Sequence, residues 1–340
     1  MSETTVFPGS GTLHINGALG RWLAEGRAVV EATVIAASGA APVPVGGRMI
    51  IASDEEFLGS VSGGCVEADV IAAALDILSD GQPRDLTFGI ADEVAWRSGL
   101  PCGSTIRVHA QVIDAASATL VIGAQTGLSL DRQPRVTALN LSTGARRLYT
   151  SPDGAPPEVT GAFATGQSGL VSTADGETFV HVLTPPPRIV IIGATHVAQL
   201  LQHMAGAIGY DVIVIDPRSA FTSATRFDPA TAITGWPERE LAAFASDPYT
   251  AIVTLTHVGH IDDEALAIAL RSRCRYVGAL GSRRTHAKRI ERLKDAGFTD
   301  AEIARIHAPV GLDLGGRAPG EIAVSILAQV VAAFNGRLSS

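Results

Sequence analysis

The chain has 340 residues, of which 46% are hydrophobic and 18% charged, a balance typical of a folded α/β protein rather than a disordered chain. The formal net charge is −8 and the sequence contains no basic run, so neither nucleic acid nor an anionic membrane is an expected partner. The first residues lack a signal-peptide pattern, and no apolar stretch approaches the roughly 20 residues needed to span a bilayer, so we expect a cytoplasmic protein. Cys65, Cys102 and Cys274 are too scattered for a disulfide framework and are expected to be reduced thiols.

The first part of the chain is expected to be a mixed α/β domain covering residues 1–115. Two apolar runs, residues 28–36 and 47–51, predict two strands joined by a Gly/Pro/Ala-rich turn. A glycine-rich loop over residues 59–64 is followed by apolar residues at helical spacing, which stop at Ser79-Asp80-Gly81. This pattern predicts a helix with one buried face.

Residues 116–187 change in character, with scattered Ser, Thr and Gly and turn signals at residues 152–154 and 175–176. We interpret them as a connecting region rich in β-hairpins. The run Pro185-Pro186-Pro187 favours a stiff, extended chain and is interpreted as the linker between domains.

From residue 188 to residue 340, short apolar runs alternate regularly with helical patterns. Such alternation is typical of a doubly wound parallel sheet, so we predict a Rossmann-like C-terminal domain. The fold class predicted for the whole chain is therefore α/β, with a mixed N-terminal domain and a parallel-sheet C-terminal domain.

The phrase Gly59-Ser-Val-Ser-Gly-Gly-Cys-Val-Glu67 predicts a glycine turn that leads into a helix. Such a turn collects backbone N–H groups that bind a phosphate or another anion, and a helix start favours the thiolate form of a cysteine. Cys65 is therefore a candidate for a reactive thiolate or a thiolate ligand. The alternative is that Cys65 packs as a small buried hydrophobic residue. Cys102, in a second Gly/Pro turn, is a candidate to converge on Cys65, whereas Cys274 has no expected role.

The turn after residue 192 keeps the first glycine of the dinucleotide-binding fingerprint at Gly193, but has Thr195 and Ala198 at its next two glycine positions. Asp216 follows Gly193 by about 20 residues, where a ribose-binding carboxylate is expected. These residues predict a nucleotide-site geometry. The alternative is a Rossmann domain that serves only as a scaffold or dimerisation unit.

Two further phrases follow predicted strands, at the edge where open α/β sheets bind ligands. The first segment contains His257, His260 and Asp262, which have suitable chemistry for zinc or iron. The alternative is that Asp262 caps the next helix and that His257 contacts a substrate or a phosphate. The second is Ser282-Arg283-Arg284, which combines a helix start with guanidinium groups. A phosphate site is favoured there over a solvated basic helix face.

Taken together, these phrases resemble the XdhC/CoxI family of accessory proteins, which mature xanthine dehydrogenase and related molybdenum hydroxylases. The most specific features are the Gly59–Glu67 phrase and the run Pro309-Val-Gly-Leu-Asp-Leu-Gly315 with its continuation to Ser325. The resemblance implies a chaperone that binds molybdenum cofactor, protects it while a cysteine desulfurase replaces an oxo ligand by sulfide, and inserts it into the apo-hydroxylase.

The same resemblance, with the motif chemistry above, defines the candidate cofactor-binding residues and implies a homodimer. Cys65 is the residue expected near molybdenum or its sulfur donor. The full candidate set is Ser62, Gly63, Gly64, Cys65, Glu67, Cys102, Gly193, His196, Asp216, His257, Ser282, Arg283 and Arg284.

Two enzymatic alternatives remain open at this point. One is an NAD(P)-dependent oxidoreductase that uses Asp216 for the ribose and His196 or His257 as general acid or base. The other is a metal-dependent hydrolase built on His257 and His260.

Overall fold

The computed structural model describes residues 11–89, 104–244 and 247–338 of the chain. These residues divide into two compact units, which we call the N-terminal unit (Gly11–Pro185) and the C-terminal unit (from Pro186). The division falls within the run of three prolines. Nowhere in the three described ranges is there a helix long and apolar enough to cross a membrane.

The N-terminal unit is built on an antiparallel sheet, which has five strands among the described residues, in the order β3-β2-β1-β5-β4. Alternate side chains of β1 point to opposite faces of this sheet. Val30 and Val34 pack against α2 on one face, and Val29 packs with α1 on the other. The elements are α1 (Gly11–Ala24), β1 (Val29–Ser38), β2 (Arg48–Ala52), β3 (Phe57–Gly59), α2 (Glu67–Asp80), β4 (Arg84–Phe88) and β5 (Thr105–Val112).

The two predicted strands and the predicted helix of this region are confirmed. The helix ends where the sequence indicated, because Gly81 adopts a left-handed φ of 72° and its N–H bonds to the carbonyl of Ile77.

A second antiparallel sheet completes the N-terminal unit, with strand order β7-β6-β9-β8. The turn signal at residues 175–176 lies in a hairpin, as predicted, but the signal at residues 152–154 leads from a strand into a helix. Two helices in the same region were not predicted. The first carries apolar residues all round its surface, so it shows no helical stripe in the sequence. The elements are α3 (Ala115–Asp131), β6 (Arg135–Asn140), β7 (Arg146–Tyr149), α4 (Pro157–Thr165), β8 (Gly169–Thr173) and β9 (Gly176–Leu183).

A buried ion cluster links the two sheets of the N-terminal unit. Glu31 on β1 is 2% exposed and pairs with Arg48 on β2, at 2.7 Å, and with Arg146 on β7. Burial alone would raise the pKa of Glu31, but the two guanidinium groups outweigh it and hold that pKa well below its usual range. The carboxylate is therefore ionised at neutral pH and joins three strands.

His181 on β9 lies beside this cluster, with its ring against Gly46. Burial and the nearby guanidinium of Arg48 lower the pKa of His181 from 6.5 to about 4. The folded unit therefore binds this proton less readily than the unfolded chain does. The stability that the unit gains from a neutral His181 is fully present above the unfolded pKa of 6.5 and is lost as the pH falls towards the folded pKa of about 4.

We expect wild type to lose about 2 kcal/mol more stability than His181→Gln between about pH 7 and about pH 5. Urea unfolding of the two proteins at both pH values measures this difference. His14→Gln, which alters an exposed histidine of the same unit, is the control and should behave as wild type. A His181→Gln protein with wild-type pH dependence would show that this imidazole is not held neutral by the fold.

The C-terminal unit contains a parallel sheet, which has six strands within the described residues, in the order β12-β11-β10-β13-β14-β15. This is the doubly wound Rossmann arrangement, and it confirms the predicted fold class. Helices α5 and α10 pack on one face, and α7 and α8 pack on the other. The elements are β10 (Arg188–Ile192), α5 (His196–Ala207), β11 (Asp211–Asp216), β12 (Ala232–Thr234), α6 (Pro237–Glu240), β13 (Thr250–Thr254), α7 (Gly259–Arg271), β14 (Tyr276–Ala279), α8 (Arg283–Asp295), α9 (Asp300–Ile303), β15 (Ile306–His307) and α10 (Pro319–Phe334).

Candidate functional site

The glycine-rich loop between β3 and α2 is organised around the carboxylate of Glu67. Glu67 is the first residue of α2 and is 9% exposed, and its side chain turns back into the loop that precedes it. Backbone and hydroxyl groups of the loop donate to both of its oxygens. Oε1 accepts from Ser60 Oγ (2.6 Å), Val61 N (3.2 Å) and Ser62 N (3.0 Å), and Oε2 accepts from Ser62 Oγ (2.6 Å), Gly64 N (2.9 Å) and Val66 N (3.2 Å).

This donor set keeps Glu67 ionised. Burial would raise the pKa of the carboxyl, but the hydrogen bonds from Ser60, Ser62 and the loop backbone outweigh burial and lower that pKa to about 2. The loop is therefore closed around an internal anion.

The expectation that Gly63 and Gly64 donate to a phosphate conflicts with this geometry. The N–H of Gly63 bonds to Ser60 Oγ at 2.8 Å, and the N–H of Gly64 bonds to Glu67. Each glycine has one N–H, so in this conformation both donors are already used. The two glycines are instead required by their backbone, because their φ angles of 81° and 112° lie in the left-handed region.

Cys65 lies directly after these glycines and is half-buried. Its N–H donates to Ser62 Oγ at 2.9 Å. Its side chain packs against the core of the N-terminal unit, as do the side chains of Ala41 and Val43. The loop thus places the Cys65 thiol at the edge of the core, and hydrogen bonds hold the backbone on either side of this residue.

Sequence reasoning missed two parts of this site. Ser60 was not a candidate, although it bonds both Glu67 and Gly63. A serine next to a glycine turn often bonds nearby backbone N–H groups, and this signal could have indicated its role. The turn after β1 was also not assigned to the site. Pro42 of that turn would lie 3.7 Å from a Cβ at Gly63. Cys102, the other predicted thiol, lies outside the described residues.

The candidate residues of the C-terminal unit lie at the carboxyl ends of the parallel strands. Gly193 follows β10 with a φ of 110°, and a Cβ there would lie 2.8 Å from the backbone nitrogen of Thr256, in the loop after β13. These two loops meet at the point where the strand order reverses. Thr195, in place of the second glycine, caps α5 by accepting from the N–H of Ala198 at 3.3 Å.

Asp216, the predicted ribose ligand, is fully buried and engaged by protein groups. Its carboxylate accepts from Ala194 N at 2.8 Å and forms a two-pronged ion pair with Arg218, at 2.8 and 2.7 Å. Burial raises the pKa of Asp216, but the bonds from Arg218 outweigh burial and lower it overall. A carboxylate used in this way holds the turn, so the geometry gives no support to the NAD(P)-dependent oxidoreductase hypothesis.

His196 and His257 are both exposed, in the segments that follow β10 and β13. His196 Nδ1 contacts Gln199 Oε1 at 3.3 Å, and the side chain lines a groove of about 950 Å³ beside α5. His257 is exposed and adopts a left-handed φ of 59°, which is uncommon for a residue with a side chain.

The prediction that Asp262 caps α7 is wrong. The helix begins at Gly259 and Val258 occupies the capping position, so Asp262 lies inside the helix. Its buried carboxylate accepts from Thr256 Oγ1 at 2.7 Å and ties down the loop after β13, and burial raises its pKa. Across the described residues, no group of three or more His, Cys, Asp or Glu side chains is placed to hold a metal ion. The metal-dependent hydrolase hypothesis therefore has no support in this part of the chain.

Ser282, Arg283 and Arg284 open α8 after β14, as predicted. Ser282 caps the helix by accepting from Thr285 N at 3.1 Å, and both arginines are exposed. Arg283 lines a cavity of about 360 Å³ together with the loop over residues 309–316. The phosphate role of these residues remains a prediction.

The fold and the site define a two-unit α/β protein that carries a thiol on a braced glycine loop in one unit and a Rossmann fold in the other. Residues 189–330 match the family model of the XdhC Rossmann domain, and residues 22–89 match that of the XdhC and CoxI family. The chain belongs to the XdhC/CoxI family.

Similar proteins cover most of this chain. The molybdenum cofactor insertion chaperone PaoD of Escherichia coli K12 is 28% identical over 309 residues, which span 91% of this chain and 84% of PaoD. A protein of Bacillus subtilis 168, named as a probable subunit of xanthine dehydrogenase, is 29% identical over 314 residues, 89% of this chain and 92% of that protein. A crystal structure described as a xanthine dehydrogenase from Bacillus halodurans shares the fold, with a TM-score of 0.76, 24% identity and coverage of 95% and 96% of the two chains.

Proposed function

We propose that this protein is a molybdenum cofactor insertion chaperone for a hydroxylase of the xanthine dehydrogenase type. The observation that carries the proposal is Cys65, a half-buried thiol presented by a loop that the protein itself holds closed. Family membership supports this role, as does the name of the relative PaoD.

The chemistry of the cargo agrees with a thiol at the site. Molybdenum cofactor is a pterin that carries a phosphate and a dithiolene-bound molybdenum centre, and soft sulfur ligands suit such a metal. In the proposal, Cys65 contacts the molybdenum or its incoming sulfur, and the rigid loop sets the position of that contact. The glycines support the loop conformation, and their N–H groups bond within the loop.

The proposed sequence of events takes place in the cytoplasm and involves further partners. The protein binds the cofactor as a homodimer and shields it while a cysteine desulfurase supplies the sulfur. It then transfers the cofactor to the apo-hydroxylase. The protein itself catalyses no step in this scheme.

The test is anaerobic binding of purified molybdenum cofactor to wild type and to Cys65→Ala, with molybdenum counted per chain and transfer to an apo-hydroxylase measured in parallel. We expect near-stoichiometric binding by wild type and a loss of about tenfold or more in affinity in the variant, since the thiol that contacts the molybdenum or its incoming sulfur is removed.

Cys274→Ala is the matched control, because Cys274 is buried in the core of the C-terminal unit. Its substitution is expected to leave cofactor binding unchanged. If wild type binds no cofactor, the chaperone proposal fails. If Cys65→Ala binds and delivers cofactor as wild type does, the thiol has no part in the function.

A further inference from the structure

We propose that Glu67 is a positioning residue for Cys65: its carboxylate holds the loop conformation that presents the thiol, and it does not itself contact the cofactor. This inference rests on the proposed function, because it concerns the site that the cofactor would occupy. It revises the expectation that Glu67 is a cofactor-binding residue.

The loop that precedes Glu67 supplies the hydrogen bonds to its carboxylate. Every bond to the carboxylate described above comes from the loop or from the residue that precedes the helix. Glu67 is 9% exposed, whereas Gly63 and Gly64 are exposed. The carboxylate thus lies on the inner side of the loop, where it braces the backbone from within.

The Glu67 carboxylate also fixes the backbone of Cys65. The residues on either side of Cys65, Gly64 and Val66, both donate their N–H groups to Glu67 Oε2. The N–H of Cys65 itself donates to Ser62 Oγ, which donates to the same oxygen at 2.6 Å. The backbone of Cys65 is therefore tied to one carboxylate oxygen through three routes.

Without the carboxylate, the glycine-rich loop would have many other conformations open to it. Gly63 and Gly64 adopt φ angles that few residues other than glycine reach, and glycine has a wide choice of other conformations. Several N–H groups that converge on one anion select a single conformation from this set. Glutamine at position 67 keeps one acceptor oxygen but turns an NH2 group towards groups that donate, so it cannot reproduce the brace.

The test compares Glu67→Gln with Asp69→Asn. Asp69 is an exposed acid in the same first turn of α2, so its change removes a similar charge from the helix start without touching the loop. Two quantities are measured. One is the rate at which iodoacetamide alkylates Cys65, followed by peptide mass spectrometry so that Cys102 and Cys274 are resolved separately. The other is the affinity for molybdenum cofactor under anaerobic conditions.

We expect Glu67→Gln to alkylate Cys65 several times faster than wild type, because the half-buried thiol is released, and to bind cofactor about tenfold more weakly or worse. Asp69→Asn should match wild type in both measurements. Hydrogen exchange in β1 and β5 should be unchanged, which separates loop release from loss of the fold.

Ser62→Ala provides a second variant if Glu67→Gln fails to fold. It removes the acceptor of the Cys65 N–H while leaving the carboxylate in place, and it should show the same two changes to a smaller degree. Ser79→Ala is its control, since Ser79 is an exposed serine in the last turn of α2, at the opposite end of the helix from the loop.

The two measurements distinguish this inference from the proposed function. Faster alkylation in Glu67→Gln, with no cofactor binding by wild type, would support the positioning role and refute the chaperone proposal. Tight binding by both wild type and Glu67→Gln, with equal alkylation rates, would overturn the positioning role and leave the chaperone proposal standing. Weaker binding with an unchanged alkylation rate would also overturn it, because Glu67 would then contact the cofactor directly.

Discussion

Replacement of Glu31 by alanine is expected to destabilise the N-terminal unit by about 3–5 kcal/mol, since it leaves two buried guanidinium groups without their shared partner. Arg48 and Arg146 reach Glu31 from different sheets, and their side chains are 10% and 7% exposed. The substitution leaves both guanidinium charges buried and without this counter-charge. The change should therefore loosen the junction between the two sheets as well as the individual strands.

Hydrogen exchange measures this loss region by region in the intact protein. Amides of β1 and β5 should exchange faster in Glu31→Ala, whereas those of β10 and β13 in the C-terminal unit provide an internal reference. Glu177→Ala is the control, because Glu177 pairs with Arg107 at 2.7 Å near the surface, where the side chain is 40% exposed. An exposed pair of this kind contributes about 0–1 kcal/mol. Equal effects of the two substitutions would contradict the buried-cluster interpretation.

Gly193→Ala is expected to destabilise the C-terminal unit by about 3 kcal/mol or more, from backbone strain and from overpacking. The φ of 110° is unfavourable for alanine, and the new Cβ would lie 2.8 Å from Thr256 N and 3.0 Å from Leu255 C. Both contacts are with backbone atoms, which cannot rotate away as a side chain does. The loops after β10 and β13 would have to separate.

Gly206→Ala is the matched control for this prediction. Gly206 lies in α5, and a Cβ there would meet no other atom within 4 Å. Alanine at such a position stabilises by about 0.5 kcal/mol, because it restricts the unfolded chain without strain in the fold. Urea unfolding should therefore shift in opposite directions for the two variants. A Gly193→Ala protein as stable as wild type would show that these loops can separate freely.

Much of the C-terminal unit could be predicted from sequence, because its strands carry an unusually clear signal. The central strands β10 and β13 are buried on both faces and appear as continuous apolar runs. The helices between them are buried on one face and show a stripe. Helix α3 of the N-terminal unit has no such stripe. It was therefore not predicted, although it is longer than most of the helices that the sequence indicated.

The candidate site was likewise predictable only in part. Local sequence was sufficient to place Cys65 after two glycines at the start of a helix, because turn and helix signals act over a few residues. It was also sufficient to place Gly193 and Ser282 at the carboxyl ends of strands.

Only the tertiary structure decided what the charged groups of these turns contact. The sequence shows that loop N–H groups and acidic side chains are near one another, but not which anion fills the loop or whether a carboxylate is free. Glu67 turns inward to occupy the donors, and Asp216 is locked by Arg218 and Ala194. The physical reason is that a buried carboxylate must find donors in three dimensions, and the nearest suitable donors depend on how the chain closes around it.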